Sequence, residues 1–133
     1  MSPSLQIVFN ILSNASGVTS LVPAASITPQ RVEAGEDLPY ITLRRISRKG
    51  WHSDSGTAAW MDTVEVRCYA KEQNSALDIE EAVIAALNRK TPGTYNSQSL
   101  LCLTHDDGED LTAEGADADG VFYVASRFMV NYG

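Results

Sequence analysis

The stretch Asp62-Thr63-Val64-Glu65-Val66-Arg67-Cys68-Tyr69-Ala70 decides how the chain is read. Its residues alternate with period two. Val64, Val66 and Cys68 fall on one side, and Glu65, Arg67 and Tyr69 on the other, the pattern of a β-strand with one face in a core. Directly after it, the spacing of Ile79, Ala82, Val83, Ala86 and Leu87 changes to the helical period, with Asp78, Glu81, Asn88 and Arg89 opposite. Asn74 or Ser75 is the expected cap, and Thr91-Pro92-Gly93 the stop. A strand running straight into an amphipathic helix, with alanines permitting close approach, predicts a sheet packed by helices.

Upstream of this unit, residues 40–47 read as a second strand, with Ile41 and Leu43 on one face and Tyr40, Thr42, Arg44 and Ile46 on the other. Between the two strands lies a polar, glycine-punctuated segment bracketed by Trp51 and Trp60, read as a long hairpin arm over about residues 48–60. A short strand is expected within 27–32, and an acidic turn at 33–37.

At the start of the chain, Ser2-Pro3 predicts a helix start and Gly17 its stop. Leu5, Val8, Phe9 and Leu12 share a face, with Ile7 and Ile11 on nearly the opposite side. A helix apolar on two sides is expected to be covered on both, so Ile7 and Ile11 are candidate contacts to another subunit.

Downstream of the second helix, residues 97–104 read as a strand with Leu101 and Leu103 facing away from Leu100 and Cys102. Residues 105–120 read as an acidic loop. Residues 121–132 read as a last strand, apolar on both faces and therefore central or covered by a partner. The predicted order is α-β-β-β-α-β-β. It describes one α+β domain over residues 1–133, with a mainly antiparallel sheet of four to five strands, mixed direction left open, and two packing helices.

Chemistry-bearing motifs are sparse. The run His105-Asp106-Asp107-Gly108-Glu109-Asp110 lacks the alternating ligand spacing and distal Glu of a calcium loop. Two histidines and two cysteines lack zinc-site spacing. No phosphate loop, dinucleotide fingerprint or nucleophile elbow occurs. Cys68 and Cys102 are expected to be packed, inert thiols. No enzyme activity, cofactor or metal is therefore expected, and no stretch is long enough to span a bilayer.

The net charge of −7 disfavours gripping a polyphosphate, which needs a positive surface. Against it stands one basic cluster, Arg44-Arg45-Ile46-Ser47-Arg48-Lys49. A basic patch and an acidic loop on one chain suit a head-to-tail contact that can close into a ring. Arg45, Arg48, Lys49, Trp51 and Trp60 are accordingly candidate subunit or tube contacts.

Taken in order, Arg31-Val32, Leu38-Pro39-Tyr40-Ile41, Ile46-Ser47, the polar arm, Val64-Glu65-Val66-Arg67-Cys68-Tyr69-Ala70 and the helix ending Ala86-Leu87 resemble the tail-completion or tail-terminator proteins of long-tailed phages. The motifs are short, and their order carries the resemblance over most of the chain. It departs at Arg67, where an acid is common.

The resemblance implies a homo-oligomeric ring, commonly hexameric, in a virion tail assembled in the cytoplasm of the bacterial host. The ring caps the head-proximal end of the tube, stops its polymerisation and meets a head–tail connector protein. DNA crosses its lumen without specific binding, and Asp106, Asp107, Glu109 and Asp110 are expected to face that lumen. The rival expectations are a head–tail connector or adaptor subunit, a small monomeric ligand-binding domain, and a hydrolase built on one of the cysteines.

Overall fold

The computed structural model describes residues 2–28, 38–53, 56–95, 97–112 and 122–133, with the side chains of 51–53, 56–58 and 107–112 outside that description. The arm segment 54–55, the acidic turn 33–37 and the acidic residues 113–119 lie outside the described residues.

Among the described residues six strands form one sheet in the order β1-β2-β3-β6-β5-β4. They are β1 (Ile27–Thr28), β2 (Tyr40–Ser53), β3 (Gly56–Ala70), β4 (Gly93–Tyr95), β5 (Gln98–Thr112) and β6 (Phe122–Tyr132). All neighbouring pairs are antiparallel except β1 with β2. The fold is α+β with a mixed, mostly antiparallel sheet. β4 adds a short strand that the pattern did not show. Two main helices, α1 (Pro3–Ser13) and α3 (Gln73–Leu87), pack against it, with a single turn, α2 (Ser16–Thr19), between α1 and β1.

The core lies between the helices and one face of the sheet. Ile41, Leu43, Val64, Val66, Cys68, Val124, Phe128 and Val130 meet Ile7, Val8, Ile11 and Leu12 of α1 and Ala76, Ile79, Val83 and Leu87 of α3. The alternation read in β3 thus survives in the fold. β6 is central, between β3 and β5; Val124, Phe128 and Val130 face the core, while Tyr123, Arg127, Met129 and Asn131 on its other face are half-buried.

Four readings are corrected. First, α1 has one buried stripe, made of Ser4, Ile7, Val8, Ile11 and Leu12. Ile7 and Ile11 are 0% and 4% exposed, so neither offers a surface to another subunit. Steps of three and four residues along a helix keep these five positions together, and Leu5 and Phe9 lie at the stripe's border, partly buried.

Second, residues 105–112 are strand rather than loop. β6 supplies register partners as far as Thr112 opposite Phe122, with an irregularity at Asp106 between His105 and Asp107, and this pairing outweighs the poor strand propensity of Asp and Gly. Third, β5 has an irregularity between Leu100 and Cys102. The extra residue resets the alternation. Leu100 and Leu103 are therefore both buried, while Leu101 is exposed and so is Cys102. Fourth, Gly17 lies within α2. α1 ends earlier, at Ser13.

Candidate assembly interface

The sheet has two long sides. β1 accompanies β2 only at Ile41 and Thr42, and β4 accompanies β5 only over residues 98–100. Among the described residues no strand lies beyond β2 from 43 to 53, or beyond β5 from 101 to 112. β2 carries Arg44, Arg45, Arg48 and Lys49 along its side, and β5 carries Asp106, Asp107, Glu109 and Asp110 along the other. Arg45 and Asp106 are exposed. The turn after α3 covers part of the β5 side. The Arg89 amide donates to the Leu103 carbonyl at 2.8 Å, and the His105 amide donates to Asn88 Oδ1 at 3.0 Å. The backbone between 106 and 112 lies beyond this cover.

At the root of the β2–β3 hairpin, Arg48 and Asp62 are cross-strand partners. Asp62 is fully buried. Its Oδ2 accepts from Ser4 Oγ of α1 at 2.6 Å and from the Tyr132 hydroxyl at 3.1 Å. Arg48 Nη2 donates to that hydroxyl at 2.8 Å, and its Nε lies 3.6 Å from Asp62 Oδ1, an ion-pair contact too long for a hydrogen bond. The Arg48 guanidinium sits 4.1 Å from the centroid of the Trp60 ring, within cation–π range. Burial pushes the Tyr132 phenol above its ordinary value, the Asp62 charge adds to this, and the bond from Arg48 opposes it.

Arg48 and Trp60 thus serve inside their own subunit by fixing the arm's base. Trp51 is in β2, nearer the tip, opposite Ala59. β6 ends opposite Trp60, so residues 56–59 and their β2 partners run past the rest of the sheet.

On the face away from the helices, Glu65 is 2% exposed although the alternation points it outward. Three arginines cover it. Arg67 Nε is 2.6 Å from Oε1, Arg44 Nη2 is 3.4 Å from Oε1, and Arg127 Nη2 is 3.4 Å from Oε2. The register sets Arg44, Glu65, Arg127 and Asp107 side by side across β2, β3, β6 and β5, an alternating row of charge. Beside it Tyr40, Tyr69 and Tyr123 stack at 4.6 and 5.0 Å. Sequence reasoning placed Arg44, Glu65 and Arg67 on outward faces. It missed their convergence, because Arg127 joins them only through the β3–β6 register.

Cys68 is buried, and burial, then the charge of Glu80, push its thiol up, away from the reactive thiolate. The His105 ring packs against Phe128 at 5.2 Å. Among the described residues no group of three or more His, Cys, Asp or Glu could hold a metal ion, and no helix is long and apolar enough to cross a membrane.

The profile of the family described as tail completion protein gp17 matches residues 6–128. The chain belongs to that family. As a tail completion protein it is a structural component of a virion, not an enzyme. No curated protein matches the chain. Among solved structures it is similar in fold to a chain of the virion of the native gene transfer agent (GTA) particle, with a TM-score of 0.76 and 13% identity. That match covers 94% of this chain and 90% of the other.

Proposed function

We propose that this tail completion protein is a ring-forming terminator. It caps the head-proximal end of the tail tube, stops tube growth and offers its other face to the head–tail connector protein. The observation that carries the reading is the opposite charge of the two long sides of the sheet. A subunit basic along one side and acidic along the other is complementary to its own copy by rotation, and a rotation that closes gives a ring.

In this reading Arg45 and Lys49 lie at the contact between subunits. Arg48 and Trp60 set the arm that carries Trp51 toward the next layer. The helices form the ring's outside. The sheet face bearing Glu65 and its arginines turns inward, which puts the register positions of Asp107 and Glu109 at the lumen, with Asp106 and Asp110 at its margin.

The test is electron microscopy of tails assembled with and without the protein. Tubes of uniform length with the protein, and overlong or ragged ones without it, are the expected pair of results. Uniform tubes in both cases reject the terminator. Binding to the portal-side ring with none to the tube assigns the chain to a connector instead.

A further inference from the structure

We infer that neighbouring copies join strand to strand, with residues 106–112 of β5 in one copy adding antiparallel to the side of β2 in the next. The inference rests on the ring reading and specifies its contact. The four long strands lie in the order β2-β3-β6-β5, every adjacent pair antiparallel. With an even number, β2 and β5 run in opposite directions. Copies related by rotation about an axis roughly along the strands therefore bring β2 against β5 antiparallel, which continues the alternation without a break.

The backbone on each side has groups for such a ladder. In an antiparallel strand alternate residues direct N–H and C=O away from their partner, and on β5 the outward groups of Leu103 and His105 are used by Arg89 and Asn88. Beyond them an irregularity at Asp106 resets the alternation, and the strand continues to Thr112 with no described strand outside it. On β2 the corresponding side begins at Leu43, past the reach of β1. Ile46, 43% exposed at the β2 irregularity, gives the contact an apolar side chain to cover.

Charge selects the pairing. Open edges are commonly guarded by like charges that forbid self-pairing. Here β2 against β2 sets arginine and lysine together, and β5 against β5 sets acid against acid. β2 against β5 alone is attractive, so the same residues that block a two-fold dimer favour the head-to-tail contact. Closing such a sheet also requires strand tilt and a stagger between copies. Sliding β5 along β2 supplies the stagger while carrying the positions of Asp106, Asp107, Glu109 and Asp110 past those of Arg45 and Lys49.

The test uses the full chain in two charge-reversed forms, one with Arg45→Glu and Lys49→Glu, the other with Asp106→Lys and Asp110→Lys. Circular dichroism and thermal melting verify that both fold. Each form alone is expected to self-associate at least about 100-fold more weakly by light scattering. An equimolar mixture is expected to recover wild-type assembly, because each reversed side then meets a complement. Hydrogen exchange in the wild-type assembly is expected to protect amides in 106–112 and on the β2 side. Assembly of either reversed form alone at wild-type strength overturns the strand pairing, as does a mixture that stays dispersed. If the wild-type chain forms rings while the reversed forms do so equally, only the pairing fails. A wild-type chain that stays monomeric even with tail tubes present defeats the ring itself.

Discussion

Asp62 and Glu65 stand three residues apart on β3. Both are buried, at 0% and 2% exposure, and they face opposite sides of the sheet. Asp62 is held mainly by neutral hydroxyls, from Ser4 and Tyr132, with Arg48 at 3.6 Å. Glu65 is held entirely by cations, three of them from three strands. The first arrangement ties a helix and a hairpin base to one point. The second gathers like charges around one acid, so the acid is what permits the arginines to converge. Loss of Asp62 leaves one arginine that still has Tyr132 and the Trp60 ring, whereas loss of Glu65 leaves three guanidinium groups repelling one another.

Glu65→Ala is accordingly expected to have the largest effect, about 3–5 kcal/mol of unfolding free energy by denaturant titration. Arg44, being mostly exposed, contributes least to that figure. Glu65→Gln is expected to recover little of it, because the missing element is charge, and recovery to wild-type stability would refute the contrast. Asp62→Ala comes next at about 2–3 kcal/mol, and Asp62→Asn is expected to regain roughly half of this, since its side-chain carbonyl still accepts from the hydroxyls.

Ser4→Ala removes one hydroxyl bond to the Asp62 carboxylate and is expected to cost about 1–2 kcal/mol, read by the same titration. A cost near zero would show that α1 is not tied through this point. The smallest effect concerns pH. The Tyr132 phenol is raised in the folded chain, so above its ordinary value of about 10 the unfolded chain loses the proton first. Stability contributed by the protonated phenol is present below that pH and is lost as pH rises further. Tyr132→Phe is expected to flatten the alkaline decline in melting temperature without removing it, since the raised Cys68 thiol acts in the same direction.

Much of this was legible in the residues and some was not, for reasons that differ by place. Val64, Val66 and Cys68 announced their face because strand periodicity is local. The burial of Glu65 was not legible, because it depends on Arg127, which arrives from sixty residues away by register. The inward and outward sides of residues 100–103 are not legible from alternation, because one extra residue between Leu100 and Cys102 reverses the parity after it. Residues 105–112 read as loop because composition favours a loop, while the partner strand decides otherwise. Ile7 and Ile11 lie across the helical wheel from Leu5 and Phe9, but the buried stripe of α1 is wide enough to take in both, together with Val8 and Leu12. The charge contrast between residues 44–49 and 106–110 was plain in the sequence. Their placement on opposite sides of one sheet is a fact of strand order alone.

The overhang of the β2–β3 hairpin has a mechanical consequence. Residues 56–59 and their partners extend about 13 Å, at about 3.3 Å per residue, past the last β6 neighbour. A two-stranded ribbon has little stability of its own, so it behaves as a cantilever whose stiffness lies at its clamp. Arg48 and Asp62 form one polar link at that clamp, continued from Asp62 through Ser4 into the first turn of α1, beside the β3–β6 ladder. A load on the tip therefore reaches the helical side of the subunit by two routes, the packed side chains of the core and one buried carboxylate.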